Sequence, residues 1–143
     1  MSALPRLVLQ PADLSPTFFP LEDGRRGQDG WQARYRRLGS GRTDGPIGVE
    51  SRAKTLDSTD AAEEDLEASR GDLDDWQPIG EPGLGDESFA ATRVAGDVRY
   101  YQLHWREGNV AASLALNGVE GRFPFSDALE LARKQEQRIA RQR

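Results

Sequence analysis

The chain has 143 residues, no cysteine, one histidine and a net charge of −5, a size that suits a single domain around one core. The missing cysteines remove disulfides, thiolate metal sites and thiol nucleophiles, and no run approaches the roughly 18 apolar residues of a membrane span. Leu, Ile, Val and Phe together number 29, near the lower limit for a packed core, so a few large side chains must carry it.

The opening MSALPRLVLQ is interrupted by Pro5 and Arg6 and lacks the continuous apolar centre of a secretory signal, which leaves a cytoplasmic chain or one whose leader has been removed. Pro11, Pro16, Pro20, Gly24, Gly27 and Gly30 predict that residues 1–30 form an extended arm laid over the domain, anchored by Phe18 and Phe19. Trp31, Ala33 and Tyr35 then alternate with Gln32, Arg34 and Arg36, the period of a half-buried strand. Ile47, Val49, Ser51 and Ala53 alternate with Gly48, Glu50, Arg52 and Lys54 in the same way. The two segments form a hairpin across LGSGRTDGP.

LDSTDAAEEDLEASRG reads as an acidic helix. Ser58 or Thr59 caps its start and Gly71 closes it. Its apolar stripe, Ala62, Leu66 and Leu73, is thin, so packing on a sheet must supply most of its stability. An irregular crossing follows, with Trp76 and Ile79 as anchors.

Gly96-Asp97 and Gly108-Asn109 are two-residue reversal signals and predict a three-stranded meander. A turn at 108–109 sets Glu107 opposite Val110, and each pair steps outward from there. Trp105, Leu103 and Tyr101 then meet Ala112, Leu114 and Leu116 on an apolar face. Arg106, His104, Gln102 and Tyr100 meet Ala111, Ser113, Ala115 and Asn117 on a polar one. The turn at 96–97 sets Ala90 beside Leu103 and Thr92 beside Tyr101 on the apolar side, with Phe89 beside His104 and Arg93 beside Tyr100 on the polar side. After Phe123 and Phe125, Ser126 caps a last helix whose stripe of Ala128, Leu131, Ala132, Gln135 and Ile139 covers the apolar face. The element order ββαβββα describes one domain over 1–143, an α+β two-layer sandwich. Its mostly antiparallel sheet has about five strands, with both helices on one face.

No phosphate loop, dinucleotide fingerprint or histidine-carboxylate metal spacing is present, so no cofactor or metal is assigned. The glycines of LGSGRTDGP join two strands instead of leading into a helix. Trp31, Trp76 and Trp105 occupy core or anchoring positions, which favours packing over sugar stacking. Charge is more informative: twelve acids lie between residues 57 and 87 against the single base Arg70.

If both strand groups share one sheet, its polar face carries Arg34, Arg36, Arg52, Lys54, Arg93, His104 and Arg106, together with Phe89, Tyr100 and Gln102. Such a face is either the solvated side of the domain or a binding surface. An arginine-rich surface with aromatics suits carboxylate, phosphate or sulfate groups. The expected function is a non-catalytic binding or accessory domain for an anionic ligand or an acidic protein surface. Arg93, Tyr100, Gln102, His104 and Arg106 are the central contacts, and Arg34, Arg36 and Arg52 the outer ones. The net charge disfavours nucleic acid. A competing expectation is a small hydrolase or isomerase with His104 as general base in a cleft under the N-terminal arm and Ser113 opposite. No orienting carboxylate is predicted beside that pair, and Asp86 is remote. A third is a structural subunit that self-assembles through its acidic helix and the basic face of another copy, a salt-sensitive contact.

LGDES, WREGNVAASL and SDALELARKQEQRI, over residues 84–140, resemble the C-terminal half of small exported or lipid-anchored domains of actinobacteria and related bacteria, whose fold is similar to the PsbP-like α+β sandwich. The resemblance implies an envelope protein whose leader and anchoring cysteine were removed, with a binding or accessory role in place of catalysis. It brings no catalytic residues.

Overall fold

Two glycines in the left-handed region set the centre of the sheet. Gly96 and Gly108 both have φ of 60°, and no other residue type takes a positive φ among the described residues. Glycine first and a negative φ second is the pattern of a type II′ turn, whose twist matches the strands it joins. The computed structural model, which describes residues 3–142, contains β5 (Glu87–Ala95), β6 (Val98–Glu107) and β7 (Val110–Val119) folded back on one another at these turns. Their register is the one that the turn positions dictate: Trp105 pairs with Ala112, Leu103 with Leu114, His104 with Ser113 and Tyr100 with Asn117. Across β5, Phe89 pairs with His104 and Arg93 with Tyr100.

The full sheet is antiparallel and has seven strands. Besides these three it contains β1 (Phe19–Arg26), β2 (Gly30–Arg36), β3 (Pro46–Thr55) and β4 (Gln77–Ile79), in the order β1-β2-β3-β7-β6-β5-β4. The expected hairpin of β2 and β3 is present, and β3 pairs with β7 to merge the two strand groups into one sheet of an α+β fold.

Two strands exceed the expected five. The region expected to be an irregular arm contains β1, joined to β2 by a turn in which Gly27 has φ of 68°. β1 is an edge strand exposed along nearly all its length, so it has no buried face to impose alternation on its sequence. Pro20 sits beside a register shift there, a place where an absent N–H costs no ladder bond. β4 is a three-residue edge strand containing Pro78.

The helices α1 (Thr59–Asp72) and α2 (Phe125–Arg141) lie on opposite faces of the sheet, not on one. α2 covers the apolar face: Trp105 Nε1 donates to Glu136 (3.2 Å), and Tyr101 meets Phe125 edge-on at 5.4 Å. α1 meets the other face through Lys54, Phe89 and Arg106. Its buried apolar residues are only Ala62 and Leu66, too few for the main core, and its acidic surface finds complementary charge on the basic side. Ser58 caps α1 by accepting from Ala61 N at 3.0 Å. α2, in contrast, begins at Phe125 with Pro124 as N-cap and no side-chain cap, so Ser126 lies inside the helix.

Beneath α2, Leu103, Trp105 and Leu114 have no solvent exposure, and neither does Ile139 of α2 itself. The chain start joins this core through two short 3₁₀ turns, Leu4–Leu7 and Pro11–Asp13, burying Leu4, Leu7, Val8 and Leu9. One polar network lies inside it. Leu9 N donates to Ser51 Oγ (2.9 Å), Ser51 Oγ donates to Gln135 Oε1 (2.7 Å), and Gln135 Nε2 donates to the Arg52 carbonyl (2.9 Å). Gln135 therefore ties α2, β3 and the chain start together. Gln135→Leu strands the Ser51 hydroxyl and the Arg52 carbonyl, and urea unfolding will show a loss of about 1–3 kcal/mol.

Candidate functional site

Alternation along β2, β3, β6 and β7 gathers the polar side chains on the α1 face, and the partners of each cation decide what the face can do. Arg106 is 8% exposed. Its guanidinium meets Glu87 on β5 (2.7 Å), Asp86 in the preceding loop (3.3 Å) and Glu63 on α1 (3.4 Å). Asp86 also accepts from Gly108 N at 2.7 Å, which locks the central turn to the same cluster. The Glu87 hydrogen bond raises the Arg106 pKa further above its ordinary value. Arg106 thus joins a helix, a strand, a loop and a turn within the chain.

Its neighbours are engaged in similar ways. Lys54 pairs with Asp65 of α1, and Arg52 pairs with Glu50 while donating to Gln32 Oε1 at 2.9 Å. Arg34 lies 3.6 Å from Glu22 and 3.8 Å from Glu50. Arg70 of α1 sits over the Phe89 ring, 4.6 Å from its centroid. Much of the basic face is therefore neutralised by carboxylates of the same chain.

Arg36 and Arg93 differ. Both are exposed, and neither has a carboxylate partner among the described residues. Arg93 lies over Trp76, 6.0 Å from the ring centroid, and Trp76 meets Tyr100 edge-on at 6.4 Å. Trp76 leaves α1 on the way to β4 and forms one wall of a cleft of about 440 Å³. The opposite side carries Arg34 and Arg36 of β2, and the floor carries Tyr100, Gln102, Ala115 and Asn117. Tyr100, Gln102 and Arg36 thus come together as expected, with Arg93 behind Trp76. Trp76 and Asn117 were not anticipated as site residues, although the meander register already set Asn117 beside Tyr100.

His104 occupies a separate position, deeper and nearer the Gly108 turn. Its ring stacks on Phe89 at 5.0 Å with an interplanar angle of 3°, and Nε2 lies 2.8 Å from Gln102 Oε1. With that oxygen as acceptor, Nε2 carries the proton and Nδ1 the lone pair. Burial lowers its pKa from 6.5 to about 4; Asp65 and Asp72 oppose the shift, and Arg52 adds to it. The imidazole is therefore neutral near pH 7 and a weak base. Ser113 stands across the strand pair, yet the orienting hydrogen bond of the ring goes to an amide and not to a carboxylate. The 3₁₀ turns of the chain start pack on the opposite face, through Ser51 and Tyr35, so the cavity beside His104 is roofed by α1 and the β1–β2 turn instead.

A depressed histidine pKa makes the folded state bind fewer protons than the unfolded one. The stability this supplies is complete above pH 6.5 and is lost as pH falls towards about 4, a difference of about 3 kcal/mol. Urea midpoints across that window will fall more steeply for the native chain than for His104→Gln. Parallel profiles would show that the ring is not desolvated.

No protein-family model matches this chain, and no curated protein or solved structure matches it significantly.

Proposed function

We propose that this domain is a non-catalytic binding module that captures an anionic organic ligand with a flat apolar part in the cleft between Trp76 and β2. One observation carries the reading: Arg36, which lines the cleft opposite Trp76 and Tyr100, lacks the carboxylate partners that engage Arg34, Arg52 and Arg106, while Arg93, also without one, backs the Trp76 ring. A guanidinium beside an aromatic wall offers an anion two directed donors and gives its apolar part a surface to stack on. Gln102 and Asn117 add donors and acceptors that fix orientation. A concavity of about 440 Å³ suits a small molecule better than an acidic protein surface, which needs a broad, shallow contact.

In this reading Arg36 is the charged contact, Tyr100 and Trp76 the apolar ones, Arg93 supports the Trp76 ring from behind, and Arg106 keeps the sheet and α1 together. Calorimetric titration with aromatic carboxylates and aryl phosphates will give saturable binding that weakens with salt. Arg36→Ala will lower the affinity about tenfold or more, the loss expected for a charge-assisted hydrogen bond. Arg133→Ala, on the exposed side of α2, will leave it unchanged. Equal affinity in Arg36→Ala and the native chain would place the ligand elsewhere.

A further inference from the structure

β1 ends the sheet on the side away from β4, and the strand beside it decides which of its backbone groups face outward. Just beyond the β2–β3 ladder, Arg37 N donates to the Ile47 carbonyl and Thr55 N to the Asp29 carbonyl. Both pairs continue the register of that ladder, so Trp31, Ala33 and Tyr35 bond to β3, and the residues between them turn their backbone groups to β1. Glu22, Gly24 and Arg26 pair with Arg34, Gln32 and Gly30 and therefore direct their own groups at β2. The N–H and C=O of Asp23 and Arg25 point away from the sheet.

This outer segment reads Glu22-Asp23-Gly24-Arg25-Arg26, with acids before the glycine and bases after it. Laid antiparallel against a second copy with Gly24 facing Gly24, Glu22 meets the partner's Arg26, and Asp23 meets the partner's Arg25. The same arrangement sets the outward-facing residues opposite each other, as the exchange of backbone hydrogen bonds requires. The adjacent registers that meet this requirement centre on Asp23 or on Arg25 and oppose like charges. Charge on an edge strand ordinarily prevents pairing; here its order favours one partner in one register. All four charged side chains are exposed. Glu22 and Asp23 accept from Gln32 and Trp31 (2.9 and 2.6 Å), and Glu22 also lies 3.6 Å from Arg34. Arg25 and Arg26 each donate to a neutral oxygen at 2.9 Å, of Gln28 and Gln32, and neither has a carboxylate partner among the described residues. Most of their guanidinium donors remain for the acids of a second chain.

We propose that β1 is a homodimerisation edge, at which two copies pair antiparallel about a two-fold axis through Gly24 and continue one sheet across the dimer. The register shift between Pro20 and Glu22 and the turn at Gly27 bound the paired segment. A contact this short is small, so monomer and dimer interconvert with protein concentration. The edge is separate from the Trp76 cleft, and neither proposal depends on the other.

Sedimentation velocity from micromolar to millimolar protein reads the association directly. The native chain is expected to shift from monomer to dimer, less so at high salt. Two charge-reversed chains, one with Glu22→Arg and Asp23→Arg and the other with Arg25→Glu and Arg26→Glu, are each expected to associate at least tenfold more weakly. Their equimolar mixture is expected to regain dimer, because the reversed edges complement each other. The chain has no cysteine, and a Cβ on Gly24 meets nothing within 4 Å, so Gly24→Cys places a single thiol at the axis. Facing Cα atoms there lie about 4.5 Å apart, within disulfide reach, and this chain will oxidise to a covalent dimer much faster than Gly41→Cys in the β2–β3 loop. A native chain that stays monomeric throughout would overturn the proposal. So would reversed chains that dimerise as tightly as the native one, a mixture of folded reversed chains that stays monomeric, or equal oxidation rates for the two cysteine variants.

Discussion

The two-residue turn at Gly108-Asn109 constrains most of what this molecule can do. Strand side chains alternate with a period of two, so a slip of one residue would carry Trp105 and Leu103 to the α1 face and His104 and Arg106 into the core. The turn is held by more than its glycine: Asp86 accepts from Gly108 N, and the Gly108 carbonyl lies 3.4 Å from Arg106 Nη1. On the other side of the sheet the same register delivers Trp105 to Glu136 and Tyr101 to the Phe123 carbonyl. Core and candidate site are the two faces of a single pairing.

The second organising feature is how charge is distributed within the chain. An acidic helix and a basic sheet face look, in sequence, like surfaces for external partners. In the fold they meet each other. Glu63 and Asp65 of α1 reach Arg106 and Lys54, while Arg70 of the same helix stacks on Phe89. With only Ala62 and Leu66 buried, α1 has little hydrophobic hold, so these contacts carry an unusual share of its docking. The same arrangement decides which parts of the face stay open. Past the C-terminal end of α1, Trp76 stands over Tyr100 between Arg93 and the arginines of β2, and a cleft remains.

The meander was legible down to individual pairs because turn chemistry and alternation agree under one register. The β2–β3 hairpin, the Ser58 cap and the buried stripe of α2 were legible for similar local reasons. β1 and β4 were not: one is an edge strand exposed along nearly all its length, and the other has three residues around a proline, so neither has a buried face to pattern its sequence. The side on which α1 packs was also hidden, since two small buried positions do not select a face. For the site, alternation correctly gathered Arg36, Tyr100, Gln102, His104 and Arg106 on one side. It does not encode which arginines meet carboxylates, because the partners of Arg106 come from α1, β5 and the loop before β5. Trp76 was legible as an anchor, but its role as a cleft wall depends on where the chain leaves α1.

The central claim is that α1, held largely by charge, neutralises the basic face of its own sheet. Amide hydrogen exchange at low and at molar salt tests it most directly, since screening weakens ion pairs far more than apolar packing. The account predicts that amides of α1 exchange several-fold faster at high salt while those of β6, β7 and α2 hold their rates. Salt-independent exchange in α1 would contradict it and place the docking of the helix on Ala62 and Leu66 alone.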